Sequence, residues 1–178
     1  SSYAHPTEKG GGWARELKMD GVYTERGGYW MQKKIALVYY SQRGSTAKLA
    51  AKLAEALAIA PLVLEEVSLR AFDIEAGTGG LSIARAAIAA KLGLKSQLKP
   101  FSAEAAARIA EADMVVLGTP VWAASTPPAI NAFIAGRLKP GATVYAFGTM
   151  SGQNADKAAG ALRKRIESRG GRIDEVLF

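Results

Sequence analysis

The sequence predicts an α/β domain built on a parallel five-stranded sheet with helices on both faces. Three observations lead there. Short runs of branched apolar residues alternate with longer stretches of helical periodicity from Lys33 to Phe178. Glycine or proline punctuates the junctions between them. At 49 % hydrophobic content, 178 residues also suffice for one domain with a full core. Such alternation sets each strand parallel to the next through a right-handed helical crossover.

The first strand is the apolar run at residues 35–40 (IALVYY), which passes directly into a polar loop at residues 41–46 (SQRGST). Leu49, Leu53 and Leu57 then recur on one helical face, with Ala50 and Ala54 beside them. Residues 61–69 (PLVLEEVSL) hold enough branched residues for a second strand, with Pro61 at its start. A loop over 71–80 carries Gly77, Gly79 and Gly80, and residues 81–92 form a helix stopped by Gly93. Ser102 is a natural N-cap for a short helix to Ala110, with Glu104 in the favourable first turn. The run at 113–118 (DMVVLG) has the continuous apolar character of a strand buried on both faces. A loop over 119–128 leads into a helix at 129–138 that begins after Pro127-Pro128. Pro140-Gly141 turns the chain into a fourth strand at 142–147, and a small polar loop follows at 148–152. A helix at 154–169 is closed by Gly170-Gly171, and residues 172–178 complete the sheet.

Residues 1–32 are set apart from the domain at 33–178 as an N-terminal extension. They hold six glycines, the aromatics Trp13, Tyr23, Tyr29 and Trp30, and equal numbers of acidic and basic residues. Lacking an apolar stretch after a basic start, they do not read as a secretory signal, and their acidic residues argue against an organelle transit peptide. A leader, a tag or a docking arm all fit them. The net charge of +7 therefore belongs to residues 33–178. Its basic residues crowd at Arg85, Lys91, Lys95 and Lys99 and again at Arg163, Lys164, Arg165, Arg169 and Arg172. Without interleaved aromatics these read as solvated helix faces, so nucleic-acid binding is not the expected function.

Several chemistries are excluded outright. Cysteine is absent, so there are no disulfides, thiolate metal sites or cysteine nucleophiles. His5, the only histidine, lies in the polar N-terminal segment, which argues against a Ser-His-Asp triad and a multi-histidine metal site. No run approaches the roughly 18 apolar residues of a membrane span. The expected setting is the cytoplasm or an organelle matrix.

In a parallel sheet, ligands bind beyond the carboxyl ends of the strands, where strand order reverses. Three loops here follow strands in that way. The first combines the hydroxyls of Ser41, Ser45 and Thr46 with Gly44 at a helix start, a point that favours an anion but also suits ordinary capping. The second, from Thr119 to Thr126, adds the large aromatic Trp122; the third, Gly148 to Gly152, offers backbone donors. A phosphate cradle, a flat apolar surface and backbone donors together suit a phosphorylated aromatic ring system. Neither GxGxxG nor GxxxxGK[ST] follows the first strand, so a Rossmann dehydrogenase or Walker-type NTPase is not supported.

The segments IALVYYSQRGST, DMVVLGTPVWAASTPPAINAFI and VYAFGTMSGQ together resemble the flavodoxin-like FMN-binding family, in its branch with a Gly-Thr-Pro-Val-Trp loop. The likeness covers residues 33–178. It implies a three-layer, flavodoxin-like sheet of strand order 2-1-3-4-5. It also implies an FMN site in which Ser41, Gln42, Arg43, Gly44, Ser45 and Thr46 hold the phosphate. Thr119, Pro120, Val121, Trp122 and Ala123 would line the isoalloxazine, with Trp122 stacking, and Thr149, Met150, Ser151 and Gly152 would close the third side. Arg43 stands where the family usually has threonine, and Ser45 where it often has asparagine. Arg43 either adds a charge-assisted contact, points to solvent, or marks a change of ligand. The family normally ends in a helix after the fifth strand. Here that last helix is expected to be missing, its place on the sheet left to the N-terminal arm, a second subunit in an oligomer, or further residues.

The expected function is electron transfer through non-covalently bound FMN, with a redox protein as partner and no side chain acting as acid or base. The basic charge would favour the reduced, anionic flavin and raise its potential relative to acidic relatives. One alternative is an NAD(P)H-dependent quinone or flavin reductase; another is an interaction subunit that does not use FMN.

Overall fold

The computed structural model describes residues 33–67, 88–150, 152 and 154–178. The N-terminal extension, the glycine loop at 71–80, the start of the helix at 81–92 and Ser151 lie outside the described residues. In chain order the elements are β1 (Ile35–Tyr39), α1 (Ser45–Leu57), β2 (Leu62–Val63), α2 (Ala103–Glu111), β3 (Met114–Pro120), α3 (Pro128–Gly136), β4 (Thr143–Thr149), α4 (Ala155–Glu167) and β5 (Arg172–Leu177). The strands form one parallel sheet of order β2-β1-β3-β4-β5, the α/β flavodoxin-like arrangement expected.

Side chains alternate across the strands and divide the core in two. On one face Ala36, Val38, Val115, Leu117, Val144 and Ala146 meet Ile109 of α2, Ile130 and Phe133 of α3, and Leu162 and Ile166 of α4. On the other, Leu37, Met114, Val116 and Phe147 meet Ala50, Leu53 and Ala54 of α1. Gly118 makes the second face possible. A Cβ at that position would run into the Phe147 ring and come within 2.8 Å of Tyr39 Cβ.

The second strand is shorter than expected. Only Leu62 and Val63 pair with β1, after which Glu66 makes an antiparallel bridge to Leu98. The Val67 amide donates to Gln97 O at 2.7 Å and the Lys99 amide to Glu65 O at 2.8 Å. Glu65 and Glu66, two adjacent carboxylates, stand where the pairing with β1 ends, at the open edge of the sheet. The chain leaves the parallel sheet where they begin.

By contrast, β3 and β4 outrun their apolar stretches, staying paired through Thr119↔Gly148 and Pro120↔Thr149. These residues, expected in loops, are strand ends and therefore rigidly placed. Ser102 caps α2 as expected, its Oγ accepting from the Ala105 amide at 3.1 Å. Gly93, at φ 69°, ends the helical turn at 88–91, and the Leu94 amide reaches back to Ala89 O at 3.0 Å. No helix among the described residues is long and apolar enough to cross a membrane.

Candidate functional site

The loop after β1 is organised by a serine at its first position rather than at the helix start. Ser41 Oγ accepts from the Gly44 amide at 3.1 Å and the Ala47 amide at 3.2 Å. With both bonds accepted, its own proton is left to donate. Gly44 adopts φ 86° directly before α1, a left-handed conformation that glycine reaches without strain, and no side chain caps the helix there. The amides of Ser45 and Thr46 have no partner among the described residues. A helix start with open amides and no acidic residue in its first turn suits an anion. Gln42 and Arg43 are exposed at the loop tip. The Arg43 side chain makes no hydrogen bond or ion pair among the described residues.

The loop after β3 is a tight turn. Trp122 and Ser125 exchange two backbone hydrogen bonds, each 2.9 Å, while Ala123 and Ala124 take φ of 48° and 59°. Two successive alanines in the left-handed region cost about 1–2 kcal/mol each, so the turn needs support from outside. Part of it comes from Arg165 on α4, whose Nη2 donates to Ser125 Oγ at 3.2 Å. Burial lowers the pKa of that guanidinium. More comes from Asn131, 3 % exposed inside α3. It accepts from Thr126 Oγ1 at 2.7 Å and donates to Leu94 O at 2.9 Å. The turn thereby presents Trp122 half-buried and Ala123 exposed. Thr119 is fully buried with its hydroxyl donated to Pro120 O at 2.8 Å, so it supports the turn from beneath.

These loops meet at Thr149, the last residue of β4. Its Oγ1 is 2.9 Å from Oγ1 of Thr46, and its carbonyl accepts from the Val121 amide at 2.9 Å. One residue, 103 positions after Thr46, thus ties the first loop to the second. Met150 and Gly152 continue the third side, half-buried and exposed respectively. The three loops converge, although the roles within them differ from a simple array of ligands. Ser41 keeps a free hydroxyl proton beside the open amides. Thr46, at 1 % exposure, is a strut between loops.

The sequence of the domain and this loop arrangement find a counterpart among known proteins. The profile of the NADPH-dependent FMN reductase family matches residues 33–164. The chain belongs to that family. FMN is accordingly its cofactor, and the open amides, the flat aromatic and the uncharged third side fit a phosphorylated ring. Solved structures share the fold of this chain. A flavoprotein from Bacteroides eggerthii is 24 % identical, with a TM-score of 0.65 over 83 % of this chain and 89 % of that one. A flavoprotein from Lactobacillus acidophilus in complex with FMN is 20 % identical, with a TM-score of 0.60 over 82 % and 93 % of the two chains. One from Bacteroides uniformis is 20 % identical, with a TM-score of 0.63 over 83 % and 90 %. At these identities the likeness establishes the flavodoxin-like fold. No curated protein matches the sequence.

Sequence reasoning passed over three side chains that shape this site. Tyr40 lies against Trp122 with ring centroids 5.9 Å apart and planes at 76°. Its hydroxyl donates to Glu66 Oε2 at 2.9 Å. Burial, reinforced by the Glu66 carboxylate, raises the Tyr40 pKa well above its ordinary value. Inside an apolar strand run Tyr40 gave no polar signal. Asn131 did give one, as the lone polar residue in the run AINAFI.

Proposed function

We propose that this chain is an FMN-dependent oxidoreductase that takes electrons from a reduced nicotinamide and passes them to a small acceptor, a quinone or free flavin. The observation that carries the reading is the meeting of three loops at Thr149 beside an uncapped helix start. In this reading the Ser45 and Thr46 amides and the Ser41 hydroxyl donate to the FMN phosphate, and Gly44 allows the close approach. Trp122 forms the wall against the isoalloxazine, with the backbone of Pro120, Val121 and Ala123 beside it. Thr149, Met150 and Gly152 border the remaining edge. Gln42 and Arg43 stand at the mouth, where Arg43 adds positive charge without a fixed partner. Bound FMN supplies the hydride and electron chemistry; the protein binds it, orients it and screens one face of the ring. The described residues of the three loops carry no carboxylate or imidazole, so in this reading protons come from solvent.

The test is steady-state oxidation of NADPH and of NADH by FMN-loaded protein with a quinone acceptor. Saturable turnover above an equal concentration of free FMN supports the reading, and turnover no faster than free FMN rejects it. A second reading, a one-protein electron carrier, draws support from the +7 charge, which would steer an acidic redox protein to the site. Electron delivery that falls steeply with added salt favours the carrier. Family membership leaves the FMN-free subunit without support.

A further inference from the structure

The geometry points to Tyr40 and Glu66 as a positioning pair that sets the Trp122 ring, and so fixes the spacing between the phosphate loop and the aromatic wall. Tyr40 immediately precedes Ser41, and its amide donates to Gly118 O at 3.0 Å, so its backbone is fixed where β1 ends. Its ring is 7 % exposed and meets Trp122 edge to face. Its hydroxyl reaches Glu66 at 2.9 Å. Glu66 in turn is held by the antiparallel bridge to Leu98. The wall therefore rests on two supports of different origin. Arg165 and Asn131 hold the far end of the turn, through Ser125 and Thr126. Tyr40 holds the near end, where Trp122 stands.

The early departure of β2 from the sheet acquires a purpose in this account. Leaving the sheet at Leu64 brings a carboxylate to the one polar atom of an otherwise apolar side chain. Removing that carboxylate leaves a buried hydroxyl unpaired and the ring free to shift. Tyr40 and Glu66 reach the cofactor only through Trp122, so both are positioning residues, not catalytic ones.

The flavin part of this inference rests on the FMN reading above; the Trp122 part does not. The experiment uses the full chain with Trp13 and Trp30 replaced by phenylalanine, which leaves Trp122 as the sole tryptophan. Near-ultraviolet circular dichroism and acrylamide quenching of Trp122 are measured without FMN, and FMN affinity is then titrated. Tyr40→Phe and Glu66→Leu are each expected to weaken the Trp122 dichroic band, raise its quenching, and raise the FMN Kd about three- to tenfold. Glu66→Gln keeps an acceptor and is expected to restore both readouts to within twofold of the parent. The double variant Tyr40→Phe, Glu66→Leu should be no worse than either single one. Tyr39→Phe makes the same chemical change on the opposite face of β1 and should move neither readout. An unchanged Trp122 band in Tyr40→Phe overturns the inference, as does a Tyr39→Phe effect of equal size. If the parent ignores FMN while Trp122 responds as described, the cofactor reading fails and the positioning of the tryptophan stands.

Discussion

Thr46→Val isolates the contact that joins the loops. Valine matches threonine in shape, so the core beside α1 keeps its packing and only the hydroxyl is lost. Thr46 is 1 % exposed and its Oγ1 lies 2.9 Å from Thr149 Oγ1. A neutral hydrogen bond contributes about 0.5–1.5 kcal/mol net, and orphaning a buried partner costs more. Thr149 is only half-buried, so water can replace the lost partner and the cost stays near the lower end, about 1 kcal/mol. For a domain of this size that lowers the melting temperature by about 2–4 °C. The assay is a double-mutant cycle of Thr46→Val and Thr149→Val by urea unfolding, with FMN affinity measured alongside. A coupling of about 0.5–1.5 kcal/mol is expected, with FMN binding weakened by each single variant. Additive effects, with no coupling beyond about 0.3 kcal/mol, would refute the claim that this pair ties the first loop to β4.

Two glycines should respond for opposite reasons. Gly118→Ala forces a methyl against Phe147 and Tyr39 and should destabilise by about 2–3 kcal/mol, read from the urea midpoint. Gly44→Ala meets open space, so its cost of about 1–2 kcal/mol comes from the backbone at φ 86° alone. Tyr40 binds its proton more tightly in the folded protein than in the unfolded chain. Stability should hold below pH 10, the ordinary tyrosine value, and fall as pH rises beyond it, by up to about 1.4 kcal/mol per pH unit. Tyr40→Phe should flatten that alkaline limb in thermal melts. Arg43→Gln should leave stability within about 0.5 kcal/mol and weaken FMN only severalfold at low salt. A hundredfold loss that persists in high salt would show Arg43 gripping the phosphate.

The sheet was legible because each strand declared itself twice, by a branched apolar run and by the turn residues around it. Strand order came from the resemblance, since alternation gives parallel direction but not neighbours. What misled was composition at the ends. The run PLVLEEVSL looks like one strand because its apolar residues are enough for one, yet pairing with β1 stops after Val63, just before the adjacent Glu65 and Glu66. Conversely, Thr119, Pro120 and Thr149 carry turn-like residue types yet remain in the ladder, because β3 and β4 hold each other past their apolar runs.

The site was legible as three loops but not as a division of labour within them. Hydroxyls in a glycine-containing loop look alike in sequence. Only packing shows that Ser41 organises the loop, Thr46 braces it from inside and Arg43 stands exposed at its tip. Tyr40 stayed hidden because its hydroxyl finds Glu66 only where the strand ends early, a tertiary fact without a local signal.

FMN binding where the three loops meet is tested most directly by a fluorescence titration of FMN with the purified chain. It predicts saturable one-to-one quenching of the flavin emission, much reduced in Trp122→Ala, as expected for an aromatic wall against the ring. Flavin emission that stays unquenched at saturating protein, or that is quenched equally by Trp122→Ala, would contradict it.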